Sequence, residues 1–394
     1  MSANFTYQGW DLKDMFISEQ CVLDNLTGQE LWGWGNNNYY ALATATSADR
    51  CVPVQTISGG NNWKQVSAGW YYAMAIKTDG TLWGWGRNGS GNIGTGNTIG
   101  PTSPVQTISG GNNWKQVSSS ACGSHTSAIK TDGTLWVWGN NSSGQLGDNT
   151  ISPKSSPVQT ISGGNNWKQV SNGFVHTMAI KTDGTLWGWG YNINGLLGDN
   201  TILSKSSPVQ TVSGGTNWKQ VSANGSSVNG THTSAIKTDG TLWSWGAGSG
   251  GKLGDGTSVN RSSPVQIISG GTNWKQVSAG IVYSMAIKTD GTLWAWGYNS
   301  FGQLGDNTTS NRSSPVQVIS GGTNWKQVSG GFGHTMATKT DGTLWAWGWN
   351  GYGQLGDGTN IDKSSPIRID TSNNWRNVSS GYISTYALKI TEGS

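Results

Sequence analysis

Lys181-Thr182-Asp183-Gly184-Thr185-Leu186-Trp187-Gly188-Trp189-Gly190 is one of six near-identical phrases in this chain. The others run Lys77 to Gly86, Lys130 to Gly139, Lys237 to Gly246, Lys288 to Gly297 and Lys339 to Gly348. A degraded seventh reads Thr27-Gly28-Gln29-Glu30-Leu31-Trp32-Gly33-Trp34-Gly35. Asp-Gly between apolar runs is a strong hairpin signal, and the type I′ turn it predicts needs positive φ at both central residues. Past the turn, alternation sets Trp187 and Trp189 on one face of a strand and Leu186, Gly188 and Gly190 on the other. The residue between the tryptophans is small or modest in every copy: Gly33, Gly84, Val137, Gly188, Ser244, Ala295, Ala346. Each copy therefore offers a large aromatic face and a nearly bare one, as sheets stacked side by side require.

Outward from this phrase lie two more anchors. Asn-Trp-Lys-Gln-Val-Ser, or its variant, places tryptophans at 63, 114, 167, 218, 274, 325 and 375; Pro-Val-Gln-x-Ile/Val, or a variant, starts at 53, 104, 157, 208, 264, 315 and 366. One unit of about 50 residues then reads as four short strands, the unit of a β-propeller blade, which cannot bury its apolar face alone. The first pieces in the chain are strands three and four, and the last are strands one and two. The expected fold is an all-β, seven-bladed propeller of four-stranded antiparallel blades over residues 26–394, closed by a composite blade of 375–394 with 26–58. Leu31 to Trp34 should pair with Thr385 to Ile390. Residues 1–25 stand outside the repeat as an N-terminal arm. Leu12, Met15, Phe16, Val22 and Leu23 recur there at helical spacing, which predicts a short amphipathic helix from about Asp11 to Asn25 suited to attachment.

Composition narrows the function. Charged residues are 11% of the 394, while Gly (61) and Trp (24) are far above ordinary usage. Net charge is +4, and residues 1–30 hold five acids against one base, leaving about +8 over the repeats. That is weak ground for nucleic acid, and none is expected. Cys21, Cys51 and Cys122 form neither a disulfide framework nor a zinc motif. No apolar run suits a membrane span and no secretory leader is visible, so no membrane insertion is expected.

The near-copies can be compared with one another. Length variation falls almost wholly between strands one and two: the interval from the anchor Val to the His-equivalent residue is six in five units, eight for Val117–His125 and eleven for Val221–His232. The letters vary there too, which nominates Trp70, Tyr71, Tyr72, Cys122, Phe174, Val175, Ser226, Ser227, Val228, Ile281, Val282, Phe332, Tyr382 and Ile383 as partner-binding residues. In an up-and-down blade the one–two and three–four loops emerge on the same face, opposite the constant Thr-Asp-Gly-Thr turns. One face is a scaffold and the other a variable display.

Other recurring polar residues admit blander readings. His125, His176, His232 and His334 share one phase, replaced elsewhere by Tyr72, Tyr283 and Ser384; one per blade without a second ligand suits a repeated hydrogen-bonding cap rather than a metal site. Asp148, Asp199, Asp255, Asp306 and Asp357 lack a calcium loop's ligand ladder and suit Asx-turns. Arg50, Lys154, Lys205, Arg261, Arg312 and Lys363 sit ahead of strand four on the display face, either paired with those aspartates or forming a cationic ring. The strict period of the tryptophans argues for core; only Trp10, Trp70 and Trp349 are free of that duty. No nucleophile–base pair, phosphate-cradling loop or carboxylate couple stands out, so neither an enzyme, a metal nor a cofactor is expected.

Gly333-His334-Thr335-Met336-Ala337, the Trp-x-Trp-Gly pair and Gly-Gln-Leu-Gly-Asp at 144–148, 302–306 and 353–357 resemble the regulator of chromosome condensation repeat family over roughly residues 26–390. That resemblance implies a seven-bladed propeller. It implies no single function, since the fold family includes a nucleotide exchange factor for a small GTPase and a bacterial β-lactamase inhibitory protein. The present arm is acidic, where the exchange factor has a basic tail. The head Asp11 to Glu19 and the repeated Ser-Pro-Val-Gln-Thr-Ile-Ser-Gly-Gly text are similar to repeat proteins encoded by tailed phages of marine bacteria. On that resemblance the expectation is a virion component: a tail, fibre or capsid-surface protein bound to other virion proteins through its arm. Its loop face would show itself to a host-surface protein or glycan. A cytoplasmic regulator or inhibitor gripping one protein partner is the alternative.

Overall fold

The computed structural model describes residues 28–57, 60–108, 111–161, 164–212, 215–225, 230–269, 271–319 and 322–391. Their strands form seven four-stranded antiparallel sheets. Six are continuous in sequence, and we number them as blades 1 to 6 from their first strands at Trp63, Trp114, Trp167, Trp218, Trp274 and Trp325. Blade 3 shows the plan, with Trp167–Asn172, His176–Lys181, Leu186–Gly190 and Lys205–Gln210 adjacent in chain order. The fourth strand starts at the loop cation, three residues ahead of its proline. Blade 7 is the composite: Trp375–Ser380, Ser384–Ile390, Gln29–Gly35 and Arg50–Gln55. Leu31 lies opposite Leu388 and Trp34 opposite Thr385, as the phase of the repeat requires. The N-terminal arm and its apolar residues Leu12, Met15, Phe16, Val22 and Leu23 lie outside the described residues.

The Asp-Gly turn differs from the type I′ expectation. Gly184 has φ +81°, while Asp183 is not in the positive region. The reason is local: Asp183 Oδ1 accepts from both the backbone N–H and the hydroxyl of Thr185, at 2.9 and 2.7 Å. That Asx-turn keeps the aspartate right-handed, and Gly184 N–H donates to Lys181 C=O at 3.0 Å. The result is a three-residue loop ending in a left-handed glycine. A side chain at Gly184 would also collide with the Thr216 carbonyl of the next blade, whose Trp218 N–H donates to Gly184 C=O at 3.0 Å. The turn is thus a blade-to-blade joint as well as a hairpin.

Packing follows the two-faced strand. Met178, Ile180, Leu186 and Leu197 of blade 3 form one buried cluster with Trp218, Val221, Ala235 and Trp245 of blade 4, and the same pairing recurs around the ring. Gly188 has no room for a side chain, because Met178 occupies the space. Burying one tryptophan contributes up to about 4–6 kcal/mol by the area rule. The second tryptophan of each pair also finds a partner for its indole N–H in the preceding blade; Trp245 Nε1 donates to Leu196 C=O at 2.8 Å. At the turn end Lys181 Nζ lies 4.9 Å from the Trp167 ring and 4.5 Å from Trp187, a cation–π clamp repeated in every blade.

Strand one is innermost, and strand-one residues of all seven blades line a narrow axial channel of about 130 Å³. Two hydrogen-bond motifs close this inner ring. A serine hydroxyl accepts from a backbone N–H of the next blade at every seam, including Ala68 N–H to Ser379 at 3.0 Å across the closing one. A glutamine amide grips the next blade's valine; Gln169 Nε2 donates to Val221 C=O at 3.1 Å while its Oε1 accepts from Val221 N–H at 3.0 Å.

Candidate partner-binding face

The one–two and three–four loops share one end of the ring, as the backbone bond from Tyr191 N–H to Val175 C=O at 2.9 Å shows. Each long three–four loop of blades 1–3 and 5–7 is built on a buried asparagine. In blade 3, Asn192 Nδ2 donates to Asp199 Oδ1 at 3.0 Å and to the carbonyls of Thr201 and Leu203 at 3.2 Å, and its Oδ1 accepts from Leu197 N–H at 2.9 Å. Asp199 in turn caps Thr201, the Asx-turn the sequence suggests. These loops are firm mounts, and the side chains free of the hub are what they present.

Those side chains form a connected aromatic arc over blades 5, 6, 7 and 1. Phe301 and Trp349 stack with ring centres 5.5 Å apart, Phe332 meets Trp349 at 5.7 Å and Tyr382 at 5.0 Å, and Tyr352 meets Trp349 at 5.5 Å. Tyr382 reaches Tyr71 at 6.4 Å, and Tyr71 reaches Trp70 at 5.6 Å and Tyr39 at 5.7 Å. The Arg87 guanidinium ends the series, 4.0 Å from the Trp70 ring and 5.8 Å from Tyr39. Tyr39 and Tyr71 hold φ near +60°, a left-handed conformation that costs a residue with a Cβ roughly 1–2 kcal/mol. Burial, and then the neighbouring Tyr352 or Cys122, pushes the Tyr71 and Tyr382 hydroxyls above their usual pKa, so both remain hydrogen-bond donors at neutral pH. Beside Arg87 the arc runs into a hollow of about 270 Å³, walled by Trp70, Phe174 and Val175 and floored by Asn140 and Gln145.

The sequence candidates divide on this face. Trp70, Tyr71, Phe174, Val175, Val282, Phe332 and Tyr382 stand half-buried at the loop end. Tyr72, Cys122, Ile281 and Ile383 do not display: all four are buried. Tyr72 already belongs to strand two, where its hydroxyl donates to His125 C=O at 2.8 Å, and Ile281 is drawn in by its N–H bond to Gly331 C=O at 3.1 Å. Ser226, Ser227 and Val228 lie outside the described residues. Tyr39, Arg87, Phe301, Trp349 and Tyr352 come from the three–four loops and were not among the candidates. A signal for them existed: the residue after each Trp-x-Trp-Gly varies (Asn36, Arg87, Asn140, Tyr191, Ala247, Tyr298, Trp349), as does the one three places on.

The cations ahead of strand four are largely neutralised. Arg261 and Arg312 pair with Asp255 and Asp306 at 2.7 and 2.8 Å, and Lys154 and Lys363 with Asp148 and Asp357 at 3.7 and 3.6 Å. Burial pushes the Asp306 carboxyl up, but hydrogen bonds from Thr308, Arg312 and Asn299 outweigh it and hold the group below its usual range. Arg50 donates to Thr46 Oγ1 at 3.0 Å, and Lys205 makes no ion pair among the described residues.

The four histidines are fully buried and link blade to blade. Nε2 of His125, His176 and His334 lies 3.0–3.2 Å from a threonine hydroxyl of the next blade, and His232 lies 2.7 Å from Ser284. The hydroxyl donates onward to a loop carbonyl, Thr233 to Leu196 for instance, so the imidazole is the donor. Burial holds the rings neutral, with the pKa of His125, His176 and His334 depressed to about 3. Lys252 takes the place of the loop glutamine in blade 4; its Nζ donates to Ser249 Oγ at 2.9 Å and burial lowers its pKa to about 8. Among the described residues no three His, Cys, Asp or Glu gather at metal-binding range, and no helix is long and apolar enough to cross a membrane.

The architecture and its display face define a ring-closed propeller with a variable loop end. The RCC1-like domain model matches residues 105–393, and the regulator of chromosome condensation (RCC1) repeat matches 29–76, 79–129 and 63–92. The chain belongs to the RCC1 repeat family. It is 32% identical to the ultraviolet-B receptor UVR8 of Arabidopsis thaliana over 316 residues, which is 77% of this chain and 69% of that protein. It is 29% identical over 339 residues to the human E3 ubiquitin-protein ligase HERC2, covering 84% of this chain and 7% of that protein. Among solved structures it superposes on human WBSCR16 with a TM-score of 0.79 at 21% identity, covering 92% and 98% of the two chains. Prp20p of Saccharomyces cerevisiae, whose structure was described with its binding to Gsp1p and histones, gives 0.80 at 18% identity, covering 94% and 93%.

Proposed function

We propose that this chain is a non-catalytic binding protein whose loop face grips a protein partner, with the Trp70–Tyr71–Tyr382–Phe332–Trp349 arc as the contact. The observation that carries this reading is the unbroken series of ring contacts that, with Phe301, runs across four blades, placed where the repeat's packing demands nothing. Aromatic and arginine side chains dominate binding energy at interfaces, and a firm mount spares the entropy of ordering them. The partner's matching surface is apolar with donors and acceptors for the tyrosine hydroxyls.

Two settings fit such a binder. The phage-like head and near-identical repeat text support a virion component, displaying the loop face for attachment to a host protein or glycan. The RCC1 relatives support an intracellular regulator that holds one protein. Particle fractionation separates them: a virion protein co-sediments with particles at fixed copy number, whereas a regulator captures one soluble protein at equal stoichiometry. In either setting, Trp70→Ala with Tyr71→Ala should weaken capture of the co-purifying partner. Capture that survives this pair and also Phe332→Ala with Trp349→Ala would defeat the reading.

A further inference from the structure

The two ends of the ring carry different charge. Counting the ionisable side chains of the described residues by their place on the strands and loops, the loop end holds eight cations against seven acids, and the turn end fifteen against eight. Nearly all the net positive charge of the propeller therefore sits on the constant face. Its inner part is a ring around the axis, because the residue after each anchor tryptophan lies at the start of strand one: Lys64, Lys115, Lys168, Lys219, Lys275 and Lys326 are all exposed, and Arg376 is half-buried. Of these, Lys64, Lys115, Lys168, Lys219 and Lys275 make no ion pair among the described residues. The turn aspartates nearby are occupied by their own threonines, as Asp79 is with Thr81 at 2.7 Å.

The chain supplies a partner of opposite sign. Residues 1–27 contain Asp11, Asp14, Glu19 and Asp24 against Lys13. They join the propeller at its turn end, where Gln29 N–H donates to Asn61 C=O at 2.5 Å and Thr391 N–H to Gly28 C=O at 2.9 Å. Gly28 thus lies beside the start of blade 1, three residues from Lys64 through Asn61. In six blades this place is filled by an Asp-Gly turn; in blade 7 the incoming chain takes it without an aspartate. Twenty-seven residues span at most roughly 90 Å, ample for a ring that begins at the exit point.

We propose that the acidic segment 1–27 docks across the lysine ring of the turn face, occupying it until a more acidic chain displaces it. The attraction is between exposed charges, so it weakens as salt shortens the Debye length from about 10 Å at 0.1 M. Zero-length carbodiimide coupling of the full chain, read by mass spectrometry, tests the contact. Amide links from Asp11, Asp14, Glu19 or Asp24 should fall on Lys64, Lys115, Lys168, Lys219 or Lys275 at least about tenfold more often than on Lys154, Lys205 or Lys363, and should fade in about 1 M salt. Mixing isotope-labelled with unlabelled protein tells links within a chain from links between copies. A second experiment uses polyglutamate as the displacing probe: the full-length Asp11→Asn, Asp14→Asn, Glu19→Gln, Asp24→Asn chain should bind it about three- to tenfold more tightly than the parent. Links spread evenly over both faces, links only between copies, or equal polyglutamate affinity would each overturn the proposal.

Discussion

Replacing Asn377 by Gln would add to the closing seam a clamp that six other seams already have. Gln65, Gln116, Gln169, Gln220, Gln276 and Gln327 each reach the next blade's valine. Position 377 is their equivalent, but asparagine is one methylene shorter. Its Oδ1 instead accepts from Gln327 Nε2 at 3.1 Å, and the seam toward Val66 rests on Ser379 and on apolar packing. Two amide–backbone bonds at a net of about 0.5–1.5 kcal/mol each, less about 1 kcal/mol for ordering a longer side chain, give an expected gain of about 0–2 kcal/mol. The reverse change, Gln169→Asn, removes both bonds within an intact blade pair and should cost about 1–2 kcal/mol. Urea unfolding of the three proteins, with slopes compared, measures both shifts, and unfolding rates in concentrated urea show whether the seam opens first. The reasoning fails if Gln169→Asn stays within about 0.5 kcal/mol of the parent, the range of a neutral surface change, or if Asn377→Gln destabilises.

Four further outcomes are expected. Deleting residues 375–394 should cost several kcal/mol, of order 5 or more, because it strips Gln29–Gly35 of its partner strand and bares the Trp32 and Trp34 face; differential scanning calorimetry showing a parental transition would refute closure. The histidines should make the fold acid-labile. Their pKa falls from 6.5 when unfolded to about 3 for His125, His176 and His334, so the unfolded chain takes up protons that the folded one refuses. Stability is then full above about pH 6.5 and falls by up to about 1.4 kcal/mol per pH unit per histidine toward pH 3; a melting temperature flat from pH 7 to pH 4.5 would contradict it. His176→Ala should cost about 1–3 kcal/mol through the lost bond to Thr233 and the space left, while partner capture persists. Trp70→Ala with Tyr71→Ala should weaken partner binding by about 1–4 kcal/mol in titration calorimetry, and an equal loss from changes at the Thr-Asp-Gly-Thr face would show that the wrong end was chosen.

The ring was legible because each blade solves the same packing problem in the same words. The faces of Trp187 and Trp189, the Leu31–Leu388 pairing and the Asx-turn at Asp199 all follow from repetition and residue chemistry. The turn itself was misread, since dipeptide statistics do not include the Thr185 hydroxyl that holds Asp183 right-handed. The display residues were read in part. Comparing copies found the variable one–two loops, but sequence distance cannot say where a loop ends and a strand begins, so Tyr72 and Ile383 were counted outside when both are within. The arc's second half was hidden for a different reason. Phe301, Trp349 and Tyr352 stand beside the constant Gly-Gln-Leu-Gly-Asp text, and only folding brings Phe301 and Trp349 against Phe332 and Tyr352 against Trp349.

Asymmetry is what makes the loop face more than a by-product of the scaffold. Seven near-copies around an axis would by default present seven similar loop ends, and the turn end comes close to that. At the loop end the corresponding positions hold Trp349 and Arg87 on one side and Ala247 and Asn140 on the other, although the Asn hub beneath most of them is unchanged. Core packing cannot account for this, because the tryptophan clusters below are equivalent in every blade. Stability alone cannot either: Tyr39 and Tyr71 hold left-handed backbone at a cost that glycine would avoid, and Tyr39 leaves 59% of its surface in water. A strained, exposed aromatic supported by aromatic neighbours is suited to contact something outside the chain. The contact should therefore be lopsided, with the partner seated over blades 5, 6, 7 and 1 rather than on the axis.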